Sequence, residues 1–153
     1  MTTPLIDATR PTRDWPADLR PHVGEHRLIE LALEGAQIVG ERLPRPEGIA
    51  EDQPSPRLLL TLLTYCYAAA IYGSEDIEWA CDKDPSVHYL CAKTPPEQED
   101  IRRFRRANRP SIEACLVWIY GQACPAKDPG HSLADFVRQK LELAIMMDTA
   151  SCE

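Results

Sequence analysis

The chain has 153 residues, of which 44% are apolar and 27% charged, and its formal net charge at pH 7 is -7. This length and apolar content suit one soluble domain with a single core. We expect no membrane anchor, because the longest apolar run, residues 58–72, contains two threonines and is shorter than the roughly 20 residues that span a bilayer.

The first 21 residues are rich in proline and are predicted to form a flexible segment. A single helical domain is predicted to follow over residues 22–153. The opening residues also lack the apolar stretch of a secretory leader, so the sequence predicts a cytoplasmic protein.

Hydrophobic periodicity predicts helices through the rest of the chain, and the sequence shows no strand pattern or internal repeat. The helix from Pro56 to Tyr72 is apolar on nearly every side, so we expect it to be the central, buried one. The other helices are predicted to cover His26 to Glu41 and to begin at Ser74, Glu97, Ser111 and Ser132, with a further turn from Ser86. The predicted fold class is therefore all-α, a compact bundle of about six helices with a helix-turn-helix-like central part.

Three local signals are predicted to mark helix ends. Ser74 has the side chain of an N-cap, and Pro110 is expected to end the arginine-rich helix that precedes it. Ser132, with an aspartate three residues later, resembles a capping box. The helical spacing of the aromatic residues, Trp79 and Tyr89 among them, predicts packing in the core rather than stacking on bases.

The six cysteines are predicted to be reduced residues of the core, because most of them fall inside apolar helical segments. Cys81, His88 and Cys91 lie close together in the sequence, and Cys115 or Cys124 can supply a fourth ligand for zinc. The chain has no C-x-x-C pair, which is the usual signature of such a site. We therefore predict no metal and no cofactor.

Residues 101–109 read IRRFRRANR and place five arginines together in an acidic chain. On a helical wheel, Ile101, Phe104 and Ala107 share the side that is expected to face the core. Acids before the stretch favour the start of the helix, and Glu99 is expected to pair with an arginine one turn later. The side predicted to project into water carries Arg102, Arg105, Arg106 and Arg109, with Arg103 at its edge.

Two interpretations of this arginine stretch follow from the residues alone. A solvated helix face with ion pairs inside the chain explains the pattern without any ligand. Contact with nucleic acid explains why every basic residue of the stretch is arginine, whose planar guanidinium binds phosphate or guanine through two hydrogen bonds at once. The net negative charge of the chain opposes binding to a polyanion.

The run LLLTLLTYCYAAAIYGSEDIEWACDKDPSVHYLCAKTPPEQEDIRRFRRANRPSIEACL resembles the N-terminal domain of bacterial insertion-sequence DDE transposases of the InsH type. In that family an apolar helix with a Tyr-rich end leads into a Ser-initiated helix, a segment ending in aromatic-Leu, a Pro-Asp turn and a helix with a Phe-Arg pair. The positions that match are Leu58 to Tyr72, Ser74, Ile77, Cys81, Tyr89, Leu90, Pro96, Ile101, Phe104 and Arg105. The Pro-Asp turn of the family appears here as Pro95-Pro96-Glu97.

The resemblance implies a module of a mobile element that binds double-stranded DNA through Arg102, Arg103, Arg105, Arg106 and Arg109. We expect no enzyme activity, because the sequence contains no catalytic DDE domain and Asp148 alone cannot hold the two metal ions of phosphoryl transfer. The alternative is a protein-interaction or oligomerisation module that has lost DNA binding. Such a module, for example a homodimer, associates through its acidic surface or its Cys-rich, apolar C-terminal helix.

Overall fold

The structure, a computed structural model, describes residues 15–41, 43, 53–91, 94–125 and 130–151. Within these ranges the chain forms seven helices and no strand, which confirms the all-α class with slightly more helices than predicted. In chain order they are α1 Arg20–Val23, α2 Glu25–Gly40, α3 Pro56–Ala68, α4 Ser74–Lys83, α5 Pro85–Cys91, α6 Gln98–Ala123 and α7 Gly130–Ser151. No helix in this part of the chain combines the length and the apolar content that crossing a bilayer requires. The helix-turn-helix-like character of the central part stays a prediction.

Helix α3 is the buried centre of the bundle, as predicted. Every residue from Leu59 to Ala69 is buried, and α2, α5 and α6 pack around the helix. Pro56 starts it, and the Ser55 hydroxyl accepts a hydrogen bond from the Leu58 amide at 3.1 Å, which satisfies one amide of the first turn. Burial of this apolar helix supplies a large part of the driving force for folding.

The C-terminal end of α3 lies at Ala68, before the predicted end at Tyr72. Ala70 has a φ of 62°, a left-handed conformation that turns the chain away from the helix axis. The last carbonyl groups accept hydrogen bonds from the N-terminal segment instead, from the Leu19 amide to Ala68 at 2.8 Å and from Arg20 Nη2 to the next carbonyl at 3.1 Å. These donors are distant in sequence, so the local apolar pattern did not reveal them.

The N-terminal segment reaches into the core from residue 15 onward. Trp15 and Leu19 are buried, and the Tyr120 hydroxyl donates a hydrogen bond to the Pro16 carbonyl at 2.7 Å. The predicted flexible segment, 1–21, therefore overlaps packed structure at its end, because its apolar side chains outweigh its prolines. Residues 1–14 of that prediction lie outside the described residues.

One predicted helix cap differs in the structure, and one predicted helix end appears as a kink. Ser74 is the first residue of α4 rather than its cap, and Asp148 on α7 accepts the hydrogen bond from its amide. The boundary predicted at Pro110 is present as a kink, because helical geometry breaks at Asn108, where φ is -130° and ψ is 28°, and divides α6 into two helical segments. Proline has no amide hydrogen to donate within a helix, which explains a break next to it. The predicted capping box depends on the side chain of Ser132, and the structure describes only the backbone at this position.

Two aromatic residues that were predicted to pack in the core are exposed. Trp79 on α4 and Tyr89 on α5 face water, whereas Tyr65 and Tyr67 on α3 are fully buried. Both exposed residues belong to short helices that bury only a few of their side chains. In so short a segment the apolar pattern does not fix which side faces the core.

Candidate nucleic-acid interface

The first half of α6 presents the arginine stretch on a capped helix. Glu97 and Asp100 form a reciprocal capping box, in which an Asp100 carboxylate oxygen accepts the Glu97 amide at 3.0 Å. Ile101 and Phe104 are buried, which confirms the side predicted to face the core, whereas Ala107 is exposed. The buried pair fixes the rotation of the helix and therefore the directions in which the arginines leave it.

Arg105 does not project into water, so its predicted place on the outer side was wrong. The residue is only 5% exposed. Its Nη2 lies 2.6 Å from Asp148 Oδ2 on α7, and its Nη1 donates to the Tyr67 hydroxyl on α3 at 3.4 Å. Burial alone lowers the pKa of Arg105, but Tyr67 and Asp148 outweigh burial and raise that pKa above its usual value. Arg105 is therefore a charged residue that holds helices together in the core.

Asp148 connects three helices around this arginine. Its Oδ1 accepts a hydrogen bond from the Ser74 amide at 2.7 Å and so caps α4 from outside that helix. Its Oδ2 contacts Arg105, yet neither this oxygen nor Arg105 Nε has a partner in hydrogen-bond geometry among the described residues. The ion pair therefore leaves one buried N–H of the guanidinium unsatisfied.

Arg102 and Arg103 both pair with acids of their own helix. Arg102 Nη2 lies 3.2 Å from a Glu99 oxygen, and its Nη1 donates to the Ser74 hydroxyl at 3.0 Å. Arg103 Nη2 lies 3.8 Å from the other Glu99 oxygen, and its Nη1 lies 3.5 Å from Asp100. The predicted pair between Glu99 and Arg103 is confirmed, and these contacts match the interpretation of a solvated face with internal ion pairs.

Arg109 and Arg106 differ in their surroundings. Arg109 Nε donates to a Glu113 oxygen at 3.0 Å, and its Nη2 lies 3.8 Å from Glu142 on α7. Arg106 is exposed and makes no ion pair or hydrogen bond with any other residue that the structure describes. Within that part of the chain, Arg106 is the arginine of the stretch with the fewest competing contacts.

Four of the five arginines line one cleft between α6 and α7, which we call the arginine cleft. Its volume is about 670 Å³, and its lining residues are Arg102, Arg105, Arg106, Arg109, Ile145, Asp148 and Thr149. Asp148 is the one acid among these lining residues, but Glu99, Glu113 and Glu142 pair with Arg102 and Arg109 from outside the lining. The excess positive charge of the cleft therefore comes mainly from Arg106. A concave basic site of this kind attracts anions. Arg103 does not line it.

The cysteines that the structure describes are buried, as predicted, but the candidate zinc ligands do not form a metal cluster. His88 Nδ1 lies 3.0 Å from the Cys81 carbonyl oxygen, and Cys91 Sγ lies 3.9 Å from the same oxygen. Burial raises the pKa of both the Cys81 and the Cys91 thiols, and a protonated thiol is a poor metal ligand. Among the described residues, no three His, Cys, Asp or Glu side chains are grouped to hold an ion.

Lys140 on α7 is a buried lysine that the sequence pattern did not lead us to predict. Its ammonium donates to the carbonyl oxygens of Ala17 and Tyr67, each at 2.8 Å, and to the Tyr72 hydroxyl at 2.9 Å. Three aromatic rings surround it, with centroids 5.1 to 5.6 Å from Nζ. Burial lowers the pKa of Lys140 to about 7. A signal was present, since this lysine lies on the apolar side of its helix, one turn after Val137.

Comparisons with protein-family models, with curated proteins and with solved structures found no match to this chain. The resemblance to the transposase domain therefore stays a prediction that depends on the residues from Leu58 to Leu116. The geometry of the arginine cleft is the observation from which a function can be argued.

Proposed function

We propose that this chain is a DNA-binding module, related to a transposase N-terminal domain, that binds double-stranded DNA through the arginine cleft and the surface beside it. The observation that carries this proposal is the gathering of four arginines at one cleft of an acidic chain. The proposed role is binding without catalysis.

Guanidinium groups suit the phosphates of nucleic acid. Each guanidinium holds its N–H donors in one plane and can bind two phosphate oxygens at once. Arg102, Arg106 and Arg109 follow one another along α6 and all three line the cleft. They therefore offer several neighbouring donors to a phosphate backbone, which positions a protein on DNA.

The ion pairs inside the chain weaken such contacts without preventing them. Glu99, Glu113 and Glu142 are all partly exposed, and ion pairs at exposed positions contribute only about 0–1 kcal/mol. Because a duplex carries a dense row of negative charges, its phosphates can compete with these single carboxylates. We therefore expect binding that is weak and strongly dependent on salt.

The burial of Arg105 changes the predicted contact surface. A duplex cannot reach a side chain that lies beneath α7 and pairs with Asp148. The proposed contact residues for duplex DNA are therefore Arg102, Arg103, Arg106 and Arg109. Arg105 positions them by holding α6 against α7.

Binding of a fluorescent DNA duplex, followed by anisotropy over a series of salt concentrations, tests this proposal. We expect the wild type to bind at low salt. The double variant Arg106→Gln/Arg109→Gln is expected to bind more weakly, with the slope of log K against log salt reduced by about 1.8 for two lost phosphate contacts. Arg138→Gln is the matched control, because it removes an ion-paired, exposed arginine of α7 that does not line the cleft. Absence of binding at low salt, or equal losses in the two variants, would refute the proposal.

A second candidate function is association of two copies through α7. Leu143, Met146 and Met147 lie close together on this helix and are 37%, 62% and 36% exposed. Light scattering measures the mass in solution directly. A dimer that Met146→Glu converts into a monomer supports this function, and a monomeric wild type excludes it.

A further inference from the structure

We infer that the arginine cleft holds a single phosphate group, carried either by a nucleic acid or by a free phosphorylated small molecule. This inference deepens the proposed function and rests on it, because both assign anion binding to the same arginines. It adds the chemical group that is recognised and the place in the fold where that group lies.

The cleft is open to solvent rather than enclosed, and it is wide enough to admit a ligand. Its volume is about 670 Å³, and small-molecule sites usually have roughly 300–1,000 Å³. The cleft is therefore large enough for a phosphate together with the organic group attached to it. Ile145 supplies an apolar contact in the wall that faces the arginines.

Arg106 and Arg109 supply the donors that can turn toward an entering anion. Arg106 is exposed and has no hydrogen bond or ion pair within the described part of the chain. Arg109 keeps its Nε on Glu113, while its Nη2 lies 3.8 Å from Glu142, a distance beyond that of a good hydrogen bond. Both side chains can therefore bind phosphate oxygens without breaking a strong contact.

Arg105 lies at the floor of the cleft, where Asp148 balances its charge. Its Nη groups contact Asp148 and Tyr67, whereas its buried Nε has no acceptor among the described residues. Because Nε is covered, an anion that enters the cleft lies above this group and does not bind it directly. The Nε–H group therefore reports on a charge that enters the cleft without being part of the contact surface.

Asp148 lines the same cleft and balances the charge of Arg105 but not that of the other arginines. Its Oδ1 accepts the amide at the start of α4, and its Oδ2 contacts the Arg105 guanidinium. Its negative charge is therefore already balanced by a helix N-terminus and a buried cation. Of the three further arginines in the lining, Arg106 has no carboxylate partner among the described residues, whereas Arg102 and Arg109 are paired with partly exposed glutamates.

The Nε–H signal of Arg105 in a two-dimensional proton–nitrogen NMR spectrum reports on this site. The Arg105→Lys variant identifies the signal by its disappearance, and calorimetry replaces the spectrum if that variant does not fold. Inorganic phosphate added to the full chain is expected to shift the signal until the site saturates, or to give saturable heat. Sodium chloride at equal ionic strength is expected to do neither. A response to both salts alike, or to neither, overturns the inference.

A pair of α7 variants separates the cleft from the general charge of the protein. Ile145 and Gln139 are both exposed on this helix, but Ile145 lines the cleft and Gln139 does not. Ile145→Glu places a carboxylate beside the arginines and is expected to lower the phosphate affinity about tenfold or more, whereas Gln139→Glu changes it by less than about twofold. Equal losses in the two variants contradict a site in the cleft.

The same variants distinguish the two sources of phosphate and keep the two proposals separable. Loss of both phosphate and duplex binding in Ile145→Glu assigns the phosphate to nucleic acid. Binding of phosphate or pyrophosphate by a wild type that does not bind duplex assigns it to a small molecule, which refutes the proposed function and supports this inference. Duplex binding by a wild type that shows no phosphate binding in the cleft supports the proposed function and refutes this inference.

Discussion

At the scale of single residues, Asp148 is expected to matter most for stability, because it holds both a buried guanidinium and the start of α4. Asp148→Ala leaves Arg105 as a buried cation without its partner, which is expected to cost about 3–5 kcal/mol of unfolding free energy. Urea unfolding measures that cost. Asp135→Ala is the control on the same helix, since its pair with Arg138 is exposed and is worth only about 0–1 kcal/mol. Equal losses of unfolding free energy in the two variants would show that the buried ion pair stabilises the fold no more than the exposed one.

Lys140 gives the fold a dependence on pH. The folded state binds its proton with a pKa lowered to about 7 by burial, against 10.5 for an ordinary lysine. The unfolded chain therefore binds more protons between these values, so Lys140 makes the fold more stable as the pH rises from 7. Above about pH 9 the trend reverses, because the raised pKa values of buried thiols and phenols favour the unfolded state there.

The measurement for Lys140 is the unfolding free energy in urea at several pH values between about 7 and 9. The wild type is expected to gain at most about 1.4 kcal/mol per pH unit from this one proton. Lys140→Met removes the titrating amine, so the unfolding free energy of this variant is expected not to rise over the same pH range, whether the variant is more or less stable than the wild type. Lys83→Met, at an exposed position, is expected to keep the wild-type slope. A rise that survives in Lys140→Met would assign the titration to another group.

Much of the surface of the candidate site was predictable from the sequence, and its floor was not. The burial of Ile101 and Phe104 and the pair between Glu99 and Arg103 follow from helical spacing, which is a local property. The burial of Arg105 depends on a carboxylate that another helix brings to it. A charged residue near the boundary of a helical wheel faces inward only if such a partner exists, and spacing within one helix does not reveal it.

At the scale of helices, the contact between α2 and α6 requires a residue without a side chain at Gly35. A Cβ there would lie 3.0 Å from Cys115 Sγ and 3.2 Å from Trp118 Cε3. Gly35→Ala is therefore expected to overpack the contact and to lower the melting temperature, at a cost of about 1–2 kcal/mol after the gain in helix propensity. Gly121→Ala is the matched control, because no atom lies within 4 Å of its Cβ and its helix is expected to gain about 0.5–1 kcal/mol. Stabilisation by both changes would show that the α2 contact is loose.

The helices themselves were largely predictable, and their ends were less so. The start of α3 at Pro56 follows from proline and the serine before it, which act locally. Its end near Ala68 depends on hydrogen bonds from Leu19 and Arg20, and the capping of α4 depends on Asp148. Tertiary contacts of this kind override the apolar pattern, so the sequence predicted the elements better than their boundaries.

At the scale of the whole molecule, the N-terminal segment joins the beginning of the described chain to α7. The Trp15 ring packs against Phe136 with centroids 5.8 Å apart, and the Ala17 carbonyl accepts a hydrogen bond from Lys140. Trp15→Ala is expected to cost about 3–5 kcal/mol, because it removes a large buried side chain. Far-UV circular dichroism during urea unfolding measures the loss. Trp79→Ala, at an exposed position, is expected to stay within about 0.5 kcal/mol of the wild type, and a similar cost at both sites would refute this role of the segment.

The buried cysteines have a practical consequence for handling the protein. Oxidants and alkylating reagents attack the thiolate form of cysteine. Burial raises the pKa of Cys66, Cys81, Cys91 and Cys115, so these four thiols stay protonated, and burial also excludes the reagent from them. Loss of these thiols during storage in air therefore means that the core unfolded before the thiols were oxidised. The number of free thiols that remain at these positions therefore reports how much of a sample has unfolded during storage.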